Sequence, residues 1–346
     1  MIDNRRRQIL DFIKNNRECS SKEVFENVDH SVSYATLKRM LTDLISENYL
    51  ATKGRGKGTK YFISPTFEVI QPIDMERYYR KEIDEREIHE NFNFSIITEV
   101  LAKHSIFTEN ELFDLNKLQE SFQENVSQLT ENEYKKEFER LAIDLSWKSS
   151  QIEGNTYSLL ETERLLKEKE TAAGKTREEA TMLLNHKEAL DFILDNPGYL
   201  CPVTVSKIED IHSILIKDLA VDRNLRKRRV GISGTNYKPL DNEFQIFEAL
   251  KSTCDVINSK KNVFEKALLA LVLISYIQPF MDGNKRTARI VSNAILINNN
   301  YCPLSFRTVD SIDYKKAMLL FYEQNNISNI KGIFINQFGF AVNTYF

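Results

Sequence analysis

The chain is predicted to be a mainly α protein with a small β-bearing unit at its N-terminus. Three observations lead there. Only eleven Gly and seven Pro punctuate 346 residues, too few for a turn-rich β protein. From about Thr130 onward, apolar residues recur at helical spacing almost to the C-terminus. Strand-like text is confined to Tyr49–Thr52, Lys60–Ile63 and the interruption at Val230–Pro239. The length is sufficient for two or three domains with real cores, and the division predicted is 1–65, 66–129 and 130–346.

The first unit opens with a helix marked by Ile9, Phe12 and Ile13. Ser20 and Glu23 form a Ser-x-x-Glu capping box for a second helix. Ser33 begins a third, with Leu37, Met40, Leu41 and Leu44 on one face. Two short strands then flank the basic, Gly-rich loop 53–59 and make a β-hairpin. Three helices and a hairpin in that order resemble a winged helix-turn-helix domain. Its third helix would carry Thr36, Lys38 and Arg39 toward the major groove of double-stranded DNA, with Arg55 and Lys57 on the wing. Residues 1–63 hold twelve Lys and Arg against eight Asp and Glu, a net of +4, concentrated in the wing. The alternative is a winged helix used for protein contact.

Pro65 and Pro72 bracket the exit from this unit. Residues 66–129 are rich in Glu, Lys, Asn and aromatics, with a helical patch at Phe94–Leu101, and read as a helical connector. The apolar runs Ala267–Ile277 and Ile290–Ile297 both have helix length. The polar stretch between them, Gln278 to Arg289, therefore lies at a helix-to-helix junction. A helix N-terminus there aims backbone N–H groups outward, and Gly283 permits the tight turn. Arg286 and Arg289 share a helix face. A carboxylate, a nest of amides and two guanidiniums describe a polyphosphate site with room for a metal ion.

Phe280, Asp282, Gly283, Asn284, Arg286 and Arg289 match the signature of the Fic (Fido) family, His-x-Phe-x-Asp/Glu-Gly-Asn-Gly-Arg-x-x-Arg, which this stretch resembles. Two positions depart from it: Gln278 stands in place of the family's catalytic His, and Lys285 in place of its last Gly. The resemblance implies a Fic-fold helical core over residues 130–346, with ATP held by Asp282, Gly283, Asn284, Lys285, Arg286 and Arg289, and Mg2+ on Asp282. Ser149, Glu153 and Gly154 fit the family's inhibitory motif, Ser-x-x-x-Glu-Gly, which implies that Glu153 binds Arg289 in the γ-phosphate position. As residues alone, the same segment is a helix ending on a Gly. The stretch 225–241, with Val230, Ile232, Gly234, Thr235 and Tyr237, is similar to the family's β-hairpin flap, where a target protein docks by strand addition. Arg226–Arg229 beside it fits either a solvated charge run or a basic strip near the phosphates.

The family's reaction moves AMP from ATP to a protein hydroxyl. An amide lacks the basicity of imidazole, so Gln278 could orient a hydroxyl but not remove its proton, which places catalysis in doubt. Lys285 resembles the related Doc proteins, which are phosphotransferases, so a Doc-like reaction is one alternative. Another is a DNA-binding regulator whose core senses nucleotide or a partner without catalysis. Dimerisation to a homodimer is implied by the resemblance.

The remaining signals exclude more than they assign. A net charge of −3 gives no global attraction to nucleic acid or membrane. Cys19, Cys201, Cys254 and Cys302 are scattered, which argues against a zinc site or disulfides and suits a reducing cytoplasm. No signal peptide or membrane-spanning stretch is legible, so a cytoplasmic protein without membrane contact is expected. Gly174-Lys175-Thr176 resembles a P-loop end but lacks its first Gly and a preceding strand. His30, His89, His104, His186 and His212 show no metal-ligand spacing. His212 reads as a core or boundary residue, and His186 as an exposed residue opening a helix.

Overall fold

The computed structural model describes residues 3–28 and 32–346, with Lys57 described by its backbone alone; His30 and the Lys57 side chain lie outside the described residues. Helices α1 (Asn4–Asn16), α2 (Ser21–Asn27) and α3 (Tyr34–Ser46) precede strands β1 (Leu50–Lys53) and β2 (Lys60–Ile63). The strands pair antiparallel, Leu50 opposite Ile63 and Lys53 opposite Lys60. Ser20 and Glu23 form the capping box at the start of α2, and the Ser33 side chain caps α3. Leu37, Leu41 and Leu44 are buried, one per turn of α3, so this helix packs inward along a single stripe.

Two single-turn helices follow, α4 (Phe67–Ile70) and α5 (Met75–Tyr78), then a turn of π-helix at Ile96–Leu101. The long helices are α6 (Glu109–Ser127), α7 (Glu131–Ile152), α8 (Leu159–Glu168), α9 (Arg177–Asp195), α10 (Val205–Leu215), α11 (Glu243–Ser259), α12 (Val263–Ile277), α13 (Asn284–Asn298), α14 (Ser311–Gln324) and α15 (Ser328–Tyr345). Capping boxes open α6, α7, α8 and α9 from Thr108, Thr130, Ser158 and Thr176.

α12 is the axis of the core. Every residue from Ala267 to Ile277 is buried, as expected for a helix that is apolar all round. It packs along α13, with α11 and α14 also against it, while α7, α9 and α10 contact α13. α6 lies on α15, and Ile96, Ile97, Leu101, Ile106 and Phe107 of the preceding segment are buried in the same core.

The 230–239 stretch differs from the predicted hairpin: among the described residues the only sheet is β1–β2. The apolar–polar alternation there serves contacts to other segments and does not close on itself. Tyr237 is buried and its ring stacks on Tyr276, centroids 5.0 Å apart. Lys238 donates its N–H to Glu90 O, 2.7 Å, and Asn91 pairs with Lys238 in one parallel bridge. Arg86 Nη2 donates to Gly234 O at 2.9 Å, where a positive φ of 88° reverses the chain.

Arg86 also donates to both carboxylate oxygens of Glu323, at 3.0 and 3.1 Å, with both side chains almost fully enclosed. Tyr78 donates its hydroxyl to Glu323 as well. Replacing one member strands the other charge in the core. Glu323→Ala should therefore cost about 3–5 kcal/mol, read as a lowered denaturation midpoint against the parent.

Candidate functional site at the junction of two core helices

The site begins with how α12 ends. Gln278 takes the left-handed conformation, φ 51°, and stops the helix. Arg226 then caps it: Nε donates to Gln278 O at 2.6 Å and Nη2 to Ile277 O at 3.4 Å. A buried cation on the orphan carbonyls of a C-terminus also complements the helix dipole. Arg226 is thus neither a solvated charge nor part of a phosphate strip. Arg228 and Arg229 are exposed, and Arg229 pairs with Asp241.

Asn284 then folds the loop back on itself. Its Oδ1 accepts from Phe280 N, and its Nδ2 donates to Phe280 O and to Gln278 Oε1, at 2.8, 2.8 and 3.1 Å. Phe280 is fully buried and stacks flat on the His212 ring, centroids 3.6 Å apart. His212 sits between the carbonyls of Arg223 and Asp282, 3.2 and 3.0 Å from its two nitrogens. Burial lowers the pKa of this imidazole, while its contacts to the two carbonyls oppose that shift. Gly283, φ 78°, is packed so closely that a Cβ would lie 3.3 Å from His212 and Ile216. Both the conformation and the space require glycine here.

With Gly283 as its N-cap, α13 has no side chain capping its first N–H groups. Arg286 and Arg289, one turn on, are 1% and 0% exposed in their side chains. Arg286 donates to Asp282 Oδ2 at 3.1 Å and to Leu215 O at 3.4 Å. The Asp282 side chain is itself 65% exposed. Arg289 is met by the end of α7: Nε donates to Ser149 Oγ at 2.8 Å, and Nη2 to Ser149 O at 2.9 Å and Glu153 Oε1 at 2.7 Å. Its Nη1 is buried without a partner. Lys285 Nζ lies 3.7 Å from Glu153 Oε2. Burial pushes the Glu153 carboxyl up, but Arg289, Lys285 and Arg286 together override it and hold it below the usual carboxylate value.

Beside this cluster is a cavity of about 340 Å³, lined by Glu153, Ile232, Gln278, Lys285, Tyr314 and Tyr322 among others. Gln278 is engaged on both sides of its amide, since Nε2 donates to Ser275 O at 2.7 Å while Oε1 accepts from Asn284. Burial pushes the Tyr314 and Tyr322 phenols up, so both are neutral. The structure thus gathers Ser149, Glu153, Gln278, Asp282, Lys285, Arg286 and Arg289 at one place, with Ile232 at the cavity wall. Val230, Gly234, Thr235 and Tyr237 extend away along the 84–92 segment. Thr36, Lys38, Arg39 and Arg55 belong to the separate α3–β2 surface. Asp282 stands without the cluster of three His, Cys, Asp or Glu side chains that an all-protein metal cage needs, among the described residues. One exposed carboxylate does suit Mg2+ held mainly by phosphates.

Sequence reasoning missed Tyr314 and Tyr322, which resemble any aromatic on a helical stripe, and Arg226, hidden in a charge run. It misplaced His186. α9 starts at Arg177, capped by Thr176 of the failed P-loop text, so His186 is mid-helix and fully buried. Desolvation, and then the nearby Arg289 and Arg286, hold its pKa well below the ordinary value.

Residues 202–296 match the Fic/DOC family. Among curated proteins, the chain is 29% identical over 171 residues to "Protein adenylyltransferase Fic" of Nematostella vectensis, covering 48% of this chain and 40% of that protein. Over 175 residues it is 27% identical to "Protein adenylyltransferase fic-1" of Caenorhabditis elegans, covering 48% of this chain and 34% of that protein. The chain therefore spans less than half the length of these relatives. Among solved structures, C. elegans Fic-1 (residues 134–508) superposes with a TM-score of 0.60 at 18% identity, covering 68% of this chain and 72% of that one. A Fic domain containing signaling protein of Bacteroides thetaiotaomicron gives 0.54 at 20% identity, covering 66% and 92%. The fold of the helical core is that of these proteins.

The depressed Glu153 carboxyl fixes the pH dependence of the Glu153–Arg289 contact. Its stabilisation is complete above the ordinary carboxyl value of 4.5 and is lost as pH falls through the lower folded value. The stability difference between parent and Glu153→Gln should stay flat from pH 8 to about 6 and shrink only in acid below about 4. Chemical denaturation at stepped pH measures it, and a difference that changes around neutrality would contradict the assignment.

Proposed function

Because the chain carries a Fic/DOC domain, we propose that the start of α13 binds ATP with Mg2+ on Asp282, and that Glu153 closes this site by occupying Arg289. The observation that carries the reading is the 2.7 Å contact between Glu153 Oε1 and a fully buried Arg289, whose remaining nitrogen has no partner. A guanidinium placed for a phosphate accepts a carboxylate equally well, so the two compete. In this reading the N–H groups of α13 and the guanidinium of Arg286 take the other phosphates. Bound Mg2+ would neutralise phosphate charge beside Asp282.

The relatives named adenylyltransferases support AMP transfer to a protein hydroxyl as the reaction class. In this chain the position that would serve as base holds Gln278, an amide with no basicity and with its oxygen already accepting from Asn284. His212 is stacked beneath Phe280 and His186 is buried among the arginines, so neither replaces it. Loss of a general base costs about 10²–10⁴-fold, which makes this a nucleotide-binding protein first and a slow transferase at most. A Doc-like phosphoryl transfer, suggested by Lys285, meets the same lack of a base. The target protein would dock along 230–237, beside Ile232 in the cavity wall.

A second reading concerns residues 1–65, taken as a winged helix unit joined through 66–129 to the Fic unit at 130–346. Thr36, Arg39 and Arg55 are exposed along α3 and the wing, which favours double-stranded DNA as a partner. Lys38 donates to the Tyr61 hydroxyl at 3.3 Å and belongs to the packing of α3 on β2.

Calorimetry with ATP and Mg2+ tests the first reading: Glu153→Gly should bind at least about tenfold more tightly than the parent. Equal affinity removes the gating role, and no binding by either form removes the nucleotide site. With labelled ATP, Glu153→Gly/Gln278→His should label protein about 10²-fold or more faster than Glu153→Gly alone; equal rates would show that Gln278 is not the lesion. For the N-terminal unit, a gel shift should weaken steeply with salt and with Arg39→Ala or Arg55→Ala.

A further inference from the structure

A cavity of about 670 Å³ lies away from α13 and separates α1 from the segment 71–87, between the N-terminal unit and the core. Small-molecule sites favour such boundaries and such volumes. Its lining carries five cations, Arg7, Lys14, Arg77, Lys81 and Arg86, against three carboxylates. Asp74 is committed to capping α5 through Arg77 N, and Lys14 pairs outward with Glu68. Arg7, Arg77 and Lys81 have no ion pair among the described residues. Leu10, Phe67, Pro72, Ile73 and Tyr78 add an apolar wall.

Arg86 makes this more than a patch of surface charge. Its residue is only 8% exposed and its Nε is buried without a partner. The opposite end of the same guanidinium holds Gly234 O and Glu323. One rigid side chain therefore spans the cleft and the 230–238 segment. That segment is further tied to 84–91 by Asn236 donating to Asp84 and by Lys238 bonding Glu90.

We infer that this cleft is a binding site for a small phosphate-bearing ligand with an apolar ring portion, whose occupancy is felt at residues 230–238 through Arg86. The phosphate would meet Arg77, Lys81 and Arg7, and the ring the apolar wall. No bond is made or broken. The site would give the N-terminal unit and the core a shared effector.

Adenosine 5′-monophosphate without metal is the probe, and the place of protection distinguishes the cleft from the α13 site. Calorimetry should show binding to the parent, and hydrogen exchange should slow at both 71–87 and 230–238. Arg77→Glu/Lys81→Glu, two exposed changes, should weaken it by about tenfold or more while leaving ATP–Mg2+ binding in the Glu153→Gly background unchanged. Unaltered affinity in the double variant, or no binding by the parent, overturns the proposal. So does protection confined to 283–289, which would move the ligand to α13, or confined to α3 and β1–β2. If Glu153→Gly fails to bind ATP but the parent still shows protection at 71–87, the cleft stands and the α13 reading alone falls.

Discussion

Two fully buried guanidiniums on one face of α13 are the constraint to which the rest of the core answers. Arg286 and Arg289 have almost no exposure, and an unpaired buried charge costs several kcal/mol. The surrounding elements are arranged to meet that cost. Asp282 and the end of α10 serve Arg286, while the last turn of α7 and Glu153 serve Arg289. Burial first, and then these two charges beside it, hold the His186 pKa well below its ordinary value. The junction loop is equally fixed, with Asn284 bonding three atoms across it and Phe280 pressed on His212.

Much of this was legible in the residues. The helix starts at Ser20 and Ser33 are local chemistry and appear where the sequence places them. So does the α12–α13 junction, because a long apolar run must end where polar residues and a glycine interrupt it. What could not be read are the contacts made across long sequence distances. Val230–Pro239 alternates like a hairpin, yet its partners are Arg86, Glu90 and Tyr276, and periodicity carries no information about them. His186 and Arg226 fail for a related reason: their types favour solvent, and only the tertiary structure supplies a buried role.

In the proposed reading, binding and chemistry are separable because different elements would carry them. The groups proposed to meet phosphate come from the first turns of α13, whereas the position that would handle a proton is the C-cap of α12. Gln278 ends that helix and bonds Ser275 and Asn284, so it serves the geometry of the loop. A chain can therefore keep its anion-holding half intact while the proton-transfer half becomes structural.

Glu153 brings more than one side chain to Arg289. It is the C-cap of α7, and the residues it meets stand in the first two turns of α13, whose amino end is uncapped. Two helix ends of opposite polarity thus face one another across the site, each worth about half an elementary charge. Arg289 also takes the Ser149 carbonyl of α7 directly. In the proposed reading, cutting Glu153 back to glycine would remove the carboxylate but leave the Ser149 carbonyl, near the negative pole of a 22-residue helix, on Arg289. The gate would then be built of backbone as well as of one acid.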